Sequence, residues 1–195
     1  MRGDEESDPA PEHWKVSAWL GGLAEQIMVK TLENRGYTIK AAVDEQDEVS
    51  WEWKGETPFL FRGHPDGDEV DLNHDPTTRN LEMKCLGHDR ADAIEDQGVR
   101  NATIAYYDQV QGYMRAKGQK QTLFVVMDRD KGFIREYTVD FDPERWKQLV
   151  DRWREVIPII TAGELPEPDY NGKGFPCIVC AHRSGCPAWQ KEHRS

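Results

Sequence analysis

The stretch Asn80-Leu81-Glu82-Met83-Lys84-Cys85-Leu86 decides how this chain folds. Read as a strand, its period of two sends Glu82 and Lys84 to one face and Leu81, Met83 and Cys85 to the other, toward a core. Upstream, residues 59–62 read as another strand that runs into Gly63-His64-Pro65-Asp66-Gly67-Asp68, a turn-forming cluster. Asp66 stands at the start of this acidic turn, where it can meet Glu82 across a hairpin. Two carboxylates beside a lysine suit Mg²⁺ or Mn²⁺, which prefer carboxylate oxygen and retain waters. The Lys84 ammonium can orient such a water or offset charge developing on a phosphate.

An E-x-K triplet alone carries little weight, because 31% of the residues are charged and a twin occurs at Glu52-Trp53-Lys54. Context separates the two. Only Glu82-Met83-Lys84 follows a Gly-His-Pro-Asp-Gly turn and precedes a helix that carries Gln109 and Tyr113. Those two are one helical turn apart and can share a surface. Tyr113 also fits a core position with a satisfied hydroxyl.

Working outward, residues 16–35 place Val16, Trp19, Leu20, Leu23, Ile27 and Leu32 at helical spacing, a pattern that predicts an amphipathic helix stopped by Gly36. Residues 37–43 and 49–53 read as strands. Residues 90–117 read as mainly helical, with Ile104, Tyr107, Val110 or Gln111, and Met114 on one face. Residues 121–127 and 133–139 predict a hairpin across Asp128-Arg129-Asp130-Lys131-Gly132. Asp142 is the expected N-cap, and Pro143 the first residue, of a last helix reaching about residue 162. The order α-β-β-β-β-α-β-β-α predicts an α/β fold, a mixed sheet with helices packed on it. Trp19, Trp146 and Trp153 are expected in the core, whereas Arg145, Lys147, Arg152 and Arg154 read as a solvated face.

A length of 195 residues, 37% hydrophobic with seven Trp, allows one well-buried domain and a small appendage. The expected organisation is an acidic arm over residues 1–13, a main domain over 14–169 and a cysteine-bearing segment over 170–195. Apolar runs are too short to span a bilayer, and the acidic, polar start excludes a secretory signal, so a cytoplasmic location is expected. The net charge of −11 opposes phosphate binding at first sight. The first hundred residues carry 23 acids and 11 bases, the rest 13 and 14, so the acidity gathers in the half that holds the carboxylate pattern. A bound cation would reverse the local sign.

In this order and on these segments, the motifs resemble the PD-(D/E)XK nuclease superfamily, in particular its RecB-like exonuclease branch, which includes CRISPR-associated RecB-like and YqaJ-type phage exonucleases. The likeness runs from about Val16 to Trp189. It implies a restriction-endonuclease-like core and a Mg²⁺- or Mn²⁺-dependent deoxyribonuclease. Such an enzyme would act on DNA ends in recombination, repair or phage DNA metabolism, in a bacterial or phage-infected cell. The family's D…E-x-K falls on Asp66, Glu82 and Lys84, and its Q-x-x-x-Y on Gln109 and Tyr113. Glu25, in Gly21-Gly22-Leu23-Ala24-Glu25, matches the upstream helix residue that completes the family's metal site. Recombination or CRISPR-adaptation proteins are the partners implied.

Cys177, Cys180 and Cys186, followed by Pro187, resemble the branch's C-terminal iron–sulfur signature. Its fourth, N-terminal cysteine has no counterpart, since the remaining cysteine is Cys85. His13 can stand in for it, while His182 or His193 would complete a Cys₃His zinc site. Iron–sulfur, Zn²⁺ and no metal at all remain open, the first two as a structural clasp on a segment too polar to pack alone. Arg115, Lys117 and Lys120 are candidates for a phosphate-binding wall, or for a solvated helix end facing the macrodipole. Two other classes stay open: a non-catalytic nucleic-acid-binding or assembly module on the same fold, and a structure-specific endonuclease.

Overall fold

Residues Arg79–Leu86 do form a strand, and it is the central strand of a five-stranded sheet. The computed structural model describes residues 12–40, 48–72, 78–164, 166–167 and 186–193. In chain order these form α1 (Glu12–Asn34), β1 (Tyr37–Lys40), β2 (Val49–Trp53), β3 (Phe59–Gly63), β4 (Gly67–Leu72) and β5 (Arg79–Leu86). There follow α2 (His88–Ala102), α3 (Ile104–Lys117), β6 (Gln121–Asp128), β7 (Ile134–Asp140), α4 (Pro143–Thr161) and α5 (Pro187–His193).

The main sheet has the order β1-β4-β5-β6-β7. Its β5–β6 pair is parallel and the other pairs are antiparallel, so the sheet is mixed. Parallel neighbours need a long crossover, which α2 and α3 supply. Both faces are covered by helices. Leu81, Met83, Leu123 and Val125 pack with Ala24, Met28 and Leu32 of α1. The alternate residues Leu86, Phe124 and Val126 pack with Ala91, Ile94 and Val99 of α2 and with Tyr107, Val110 and Met114 of α3. A strand buried on both faces needs the unbroken apolar run seen at Leu123-Phe124-Val125-Val126.

The chain divides into two compact units, one spanning Trp19–Arg152 and the other combining Met1–Ala18 with Trp153–Ser195. Both sheets lie within the first. The second contains, among its described residues, the first turns of α1, the end of α4 and α5, whose Gln190 N–H donates to the Cys186 carbonyl at 3.0 Å. No helix among the described residues is long and apolar enough to cross a membrane.

Several expectations need correction. Gly67 does not continue the turn: it opens β4, whose acidic Gly67–Leu72 sequence disguises a strand that pairs with β1 and β5. β2 and β3 are not in the mixed sheet but form a separate two-stranded sheet. The single helix expected over 90–117 is two, joined at Thr103, with Gly98 at φ 77° kinking the first. Of the row expected on α1, Leu32 is buried, but Val16, Trp19, Leu20, Leu23 and Ile27 are exposed, Trp19 by 66%, and Ala24 and Met28 join Leu32 in the core. Arg145 belongs to no solvated face, since its Nε and Nη2 each bond Asp108 at 2.7 Å. Asp142 does cap α4, accepting from the backbone of Glu144 and Arg145 at 3.0 and 2.9 Å. Trp146 is buried as expected.

The small sheet packs its aromatic face inward. Trp51 meets Trp146 edge-on at 4.9 Å between ring centroids. Gly112 of α3 makes this approach possible, because a Cβ there would sit 2.6 Å from Cζ of Phe61. Gly63 likewise lies directly against the Tyr113 ring. The chain leaving β3 is thereby held against α3 just before it reaches Asp66.

Candidate active site

Strand alternation places Glu82 and Lys84 on the sheet face covered by α3. Glu82 is fully buried, and its Oε1 accepts a hydrogen bond from Lys84 Nζ. Its Oε2 has no hydrogen-bond partner among the described residues. Lys84 Nζ also stands 5.1 Å from the centroid of the Tyr106 ring, a cation–π contact. The twin pair behaves differently. Lys54 and Glu52 are 3.5 Å apart with side chains 80% and 53% exposed, an ordinary surface contact.

Asp66 sits between the two sheets' strands, immediately before β4. The recorded β4–β5 register ends at Gly67 opposite Leu81. Beyond that point the Asp66 Oδ2 accepts from the backbone N–H of Met83 at 2.6 Å. Against the expectation that Asp66 meets Glu82 across a hairpin, it reaches that strand through the Met83 backbone, and the hairpin is β4–β5 rather than one built from β3.

The electrostatics point in one direction. Burial raises the Glu82 carboxyl from 4.5 to about 7, with Lys84 opposing and Asp66 adding to the rise. Burial also raises Asp66, against the pull of Lys84 and the Met83 N–H. Glu25 is raised by burial and then by Asp66, so α1 brings a third carboxylate within electrostatic reach. Burial works against the Lys84 charge, yet Glu82 and Asp66 outweigh it and the ammonium is held above its ordinary range. Burial thus favours the neutral form of the carboxyls, whereas the neighbouring carboxylates favour the charged form of Lys84. The orphaned Glu82 oxygen and the Asp66 carboxylate are hard donors of the kind Mg²⁺ or Mn²⁺ prefers, with Glu25 within electrostatic reach; the ligand atoms of these three do not form a cluster as tight as that of His88, Asp92 and Asp128.

Gln109 and Tyr113 line the same region from α3, with Gln109 Nε2 donating to Tyr113 Oη at 2.8 Å. Burial raises the Tyr113 hydroxyl, and Glu82 adds to this, so the phenol stays neutral next to the carboxylates. Arg115 and Lys120 are exposed. Lys117 is engaged elsewhere, with both carboxylate oxygens of Asp68 at 2.5 Å. His64 is exposed beside Asp66.

Cys177, Cys180 and His182 lie outside the described residues, as do the side chains of His13 and His193. Among the described residues neither Cys186 nor Cys85 is in a disulfide; both are half-buried, and burial pushes the Cys85 thiol up. A group absent from the sequence expectations is His88, Asp92 and Asp128, whose ligand atoms lie within 4.8 Å of one another. His88 and Asp92 are one helical turn apart, which was a legible signal. Asp128 lies forty residues from His88 and meets it only because β5 and β6 run parallel. Cations already engage this group, with Lys131 Nζ 2.5 Å from His88 Nε2 and Arg135 donating to Asp92 at 3.2 Å.

No family model and no curated protein matches the sequence. Solved structures do match. The chain is similar to an alkaline exonuclease, LHK-Exo, from Laribacter hongkongensis, with TM-score 0.54 and 16% identity over 75% of this chain and 69% of that one. The fold is shared with an exonuclease. A second likeness, to the crystal structure of SSO0001, has TM-score 0.57 and 19% identity over 88% of this chain and 71% of that one.

Proposed function

We propose that the chain is a Mg²⁺- or Mn²⁺-dependent deoxyribonuclease of PD-(D/E)XK type, RecB-like in its motifs, acting from DNA ends. The observation that carries this is the buried Glu82–Lys84 pair with Asp66 against the same strand and Glu25 within electrostatic reach. The shared fold with an alkaline exonuclease supports it.

In this reading Glu82, Asp66 and Glu25 hold the cation. A bound Mg²⁺ or Mn²⁺ would supply a water of lowered pKa and offset charge on the scissile phosphate. Lys84 is already charged and fixed by Glu82, so its ammonium meets developing negative charge without reorganising. Gln109 and Tyr113 form a neutral wall that positions a nucleic-acid strand, and the exposed Arg115 and Lys120 extend it with phosphate contacts. Lys117 contributes less, because Asp68 holds its ammonium. A separate structural metal, iron–sulfur or zinc, on Cys177, Cys180 and Cys186 completes the reading, and elemental analysis of the purified protein tests it.

End-labelled linear DNA and covalently closed circular DNA, each with Mn²⁺ and with EDTA, test the activity. Mn²⁺-dependent loss of the linear substrate alone is expected. Cleavage of the circle would make the enzyme an endonuclease, and no turnover of either substrate would contradict the reading.

A further inference from the structure

Among the described residues, the buried side-chain atoms that make no hydrogen bond within the protein are Nδ2 and Oδ1 of Asn80, Oε2 of Glu82, Oγ1 of Thr122 and Oε1 of Gln119. Three of these residues occupy one patch. Asn80 precedes Glu82 by two positions on β5, so both side chains leave the same face. Thr122 is the register partner of Asn80 on β6. All three are 0% exposed.

The charged residue across the strand does not serve Asn80. Asp68, its register partner on β4, gives both oxygens to Lys117. A buried amide with neither donor nor acceptor satisfied bears the full desolvation penalty of both groups, so apolar packing gives no account of an asparagine here. Spacing does. Side chains two apart on a strand start roughly 6.6 Å from each other and neighbouring strands lie about 4.8 Å apart. One water making about three hydrogen bonds bridges such gaps. A carboxylate has about four acceptor positions, so Glu82 can take Lys84 and a water and still bind a cation.

We propose that Asn80 is a positioning residue for Glu82: with Thr122 it holds a buried water that donates to Glu82 Oε2 and fixes the carboxylate for a divalent ion. This rests on the metal site proposed above. Hydrogen-bonded partners of a metal-binding carboxylate set its orientation, and losing one typically weakens metal binding or activity about 10- to 100-fold.

Mn²⁺ binding to the metal-free protein, read by electron paramagnetic resonance or calorimetry, tests this in Asn80→Leu and Thr122→Val. Asn80→Leu is expected to match or exceed the wild-type melting temperature, because the orphaned amide is gone, while binding Mn²⁺ about 10-fold more weakly. Asn80→Ser, which keeps a hydroxyl and room for water, should recover much of that loss. Unchanged Mn²⁺ affinity in Asn80→Leu overturns the proposal. Unchanged affinity in Glu82→Gln is a different result: it removes the metal site itself and the proposal with it. A high-resolution crystal structure of the wild-type protein decides the matter even where a variant fails to fold. A water within hydrogen-bond distance of Asn80, Thr122 and Glu82 supports the proposal, and its absence there overturns it.

Discussion

The Asp66 carboxylate and the Met83 backbone N–H meet at 2.6 Å, so the acid is fixed to the strand residue that follows Glu82. One side chain therefore serves both the edge of β5 and the proposed cation. Asp66→Asn keeps an oxygen for the Met83 N–H but loses the charge. Asp66→Ala loses both and leaves the amide without its acceptor, at a cost of about 1–3 kcal/mol. Denaturant unfolding is expected to find Asp66→Asn more stable than Asp66→Ala, which leaves the Met83 amide unpaired, while both lose cleavage.

The raised carboxyls make stability depend on pH in a direction opposite to that of an ordinary salt-bridged acid. Glu82 titrates at about 7 in the folded protein against 4.5 ordinarily, so between these values the native state holds a proton that the unfolded state has lost. Without added metal, stability should fall as pH rises from about 4.5 to about 7, by up to roughly 1.4 kcal/mol per pH unit for each such group. Thermal unfolding of Glu82→Gln across this window is expected to show a shallower slope. An equal slope would place the titration elsewhere.

The same carboxyl should govern the acid limb of activity. Cation binding needs Glu82 ionised, so at low Mn²⁺ the rate should rise as pH passes through about 7. Higher Mn²⁺ competes with the proton and should move the limb to lower pH. Rate profiles at two Mn²⁺ concentrations check this, and coincident limbs would count against Glu82 as a ligand.

Close packing at Gly112 yields a structural prediction. Its missing side chain leaves room for Phe61, whose ring a Cβ would meet at 2.6 Å. Gly112→Ala forces the Phe61 ring out of its place against α3, an overpacking cost of about 1–3 kcal/mol. Reduced activity should accompany the lower melting temperature, because β3 leads into Asp66.

What the sequence reveals differs from element to element, for physical reasons. The alternation through Asn80 to Leu86 is legible because a strand repeats every two residues, and it assigns Glu82 and Lys84 to one face without reference to the rest of the chain. On α1 two rows compete at similar spacing. The bulkier one, Trp19, Leu20, Leu23 and Ile27, reads as the face, yet Ala24 and Met28 face the sheet together with Leu32, the one member of the expected row that is buried. Side-chain size dominates such a reading, whereas the sheet accepts the row that lets the helix approach. β4 is hidden because four of its six residues are glycine or acidic. The contact of Asp66 with Met83 depends on where the β4 pairing stops, and no local pattern encodes that point.

In the proposed function, buried Glu82 and Lys84 act on a phosphodiester. Glu82→Ala and Lys84→Ala proteins, shown to be folded by circular dichroism, should be assayed on end-labelled linear DNA with Mn²⁺ beside the wild type. Wild-type cleavage is expected, with each substitution lowering the rate at least about 100-fold; undiminished cleavage by either folded variant would contradict the assignment.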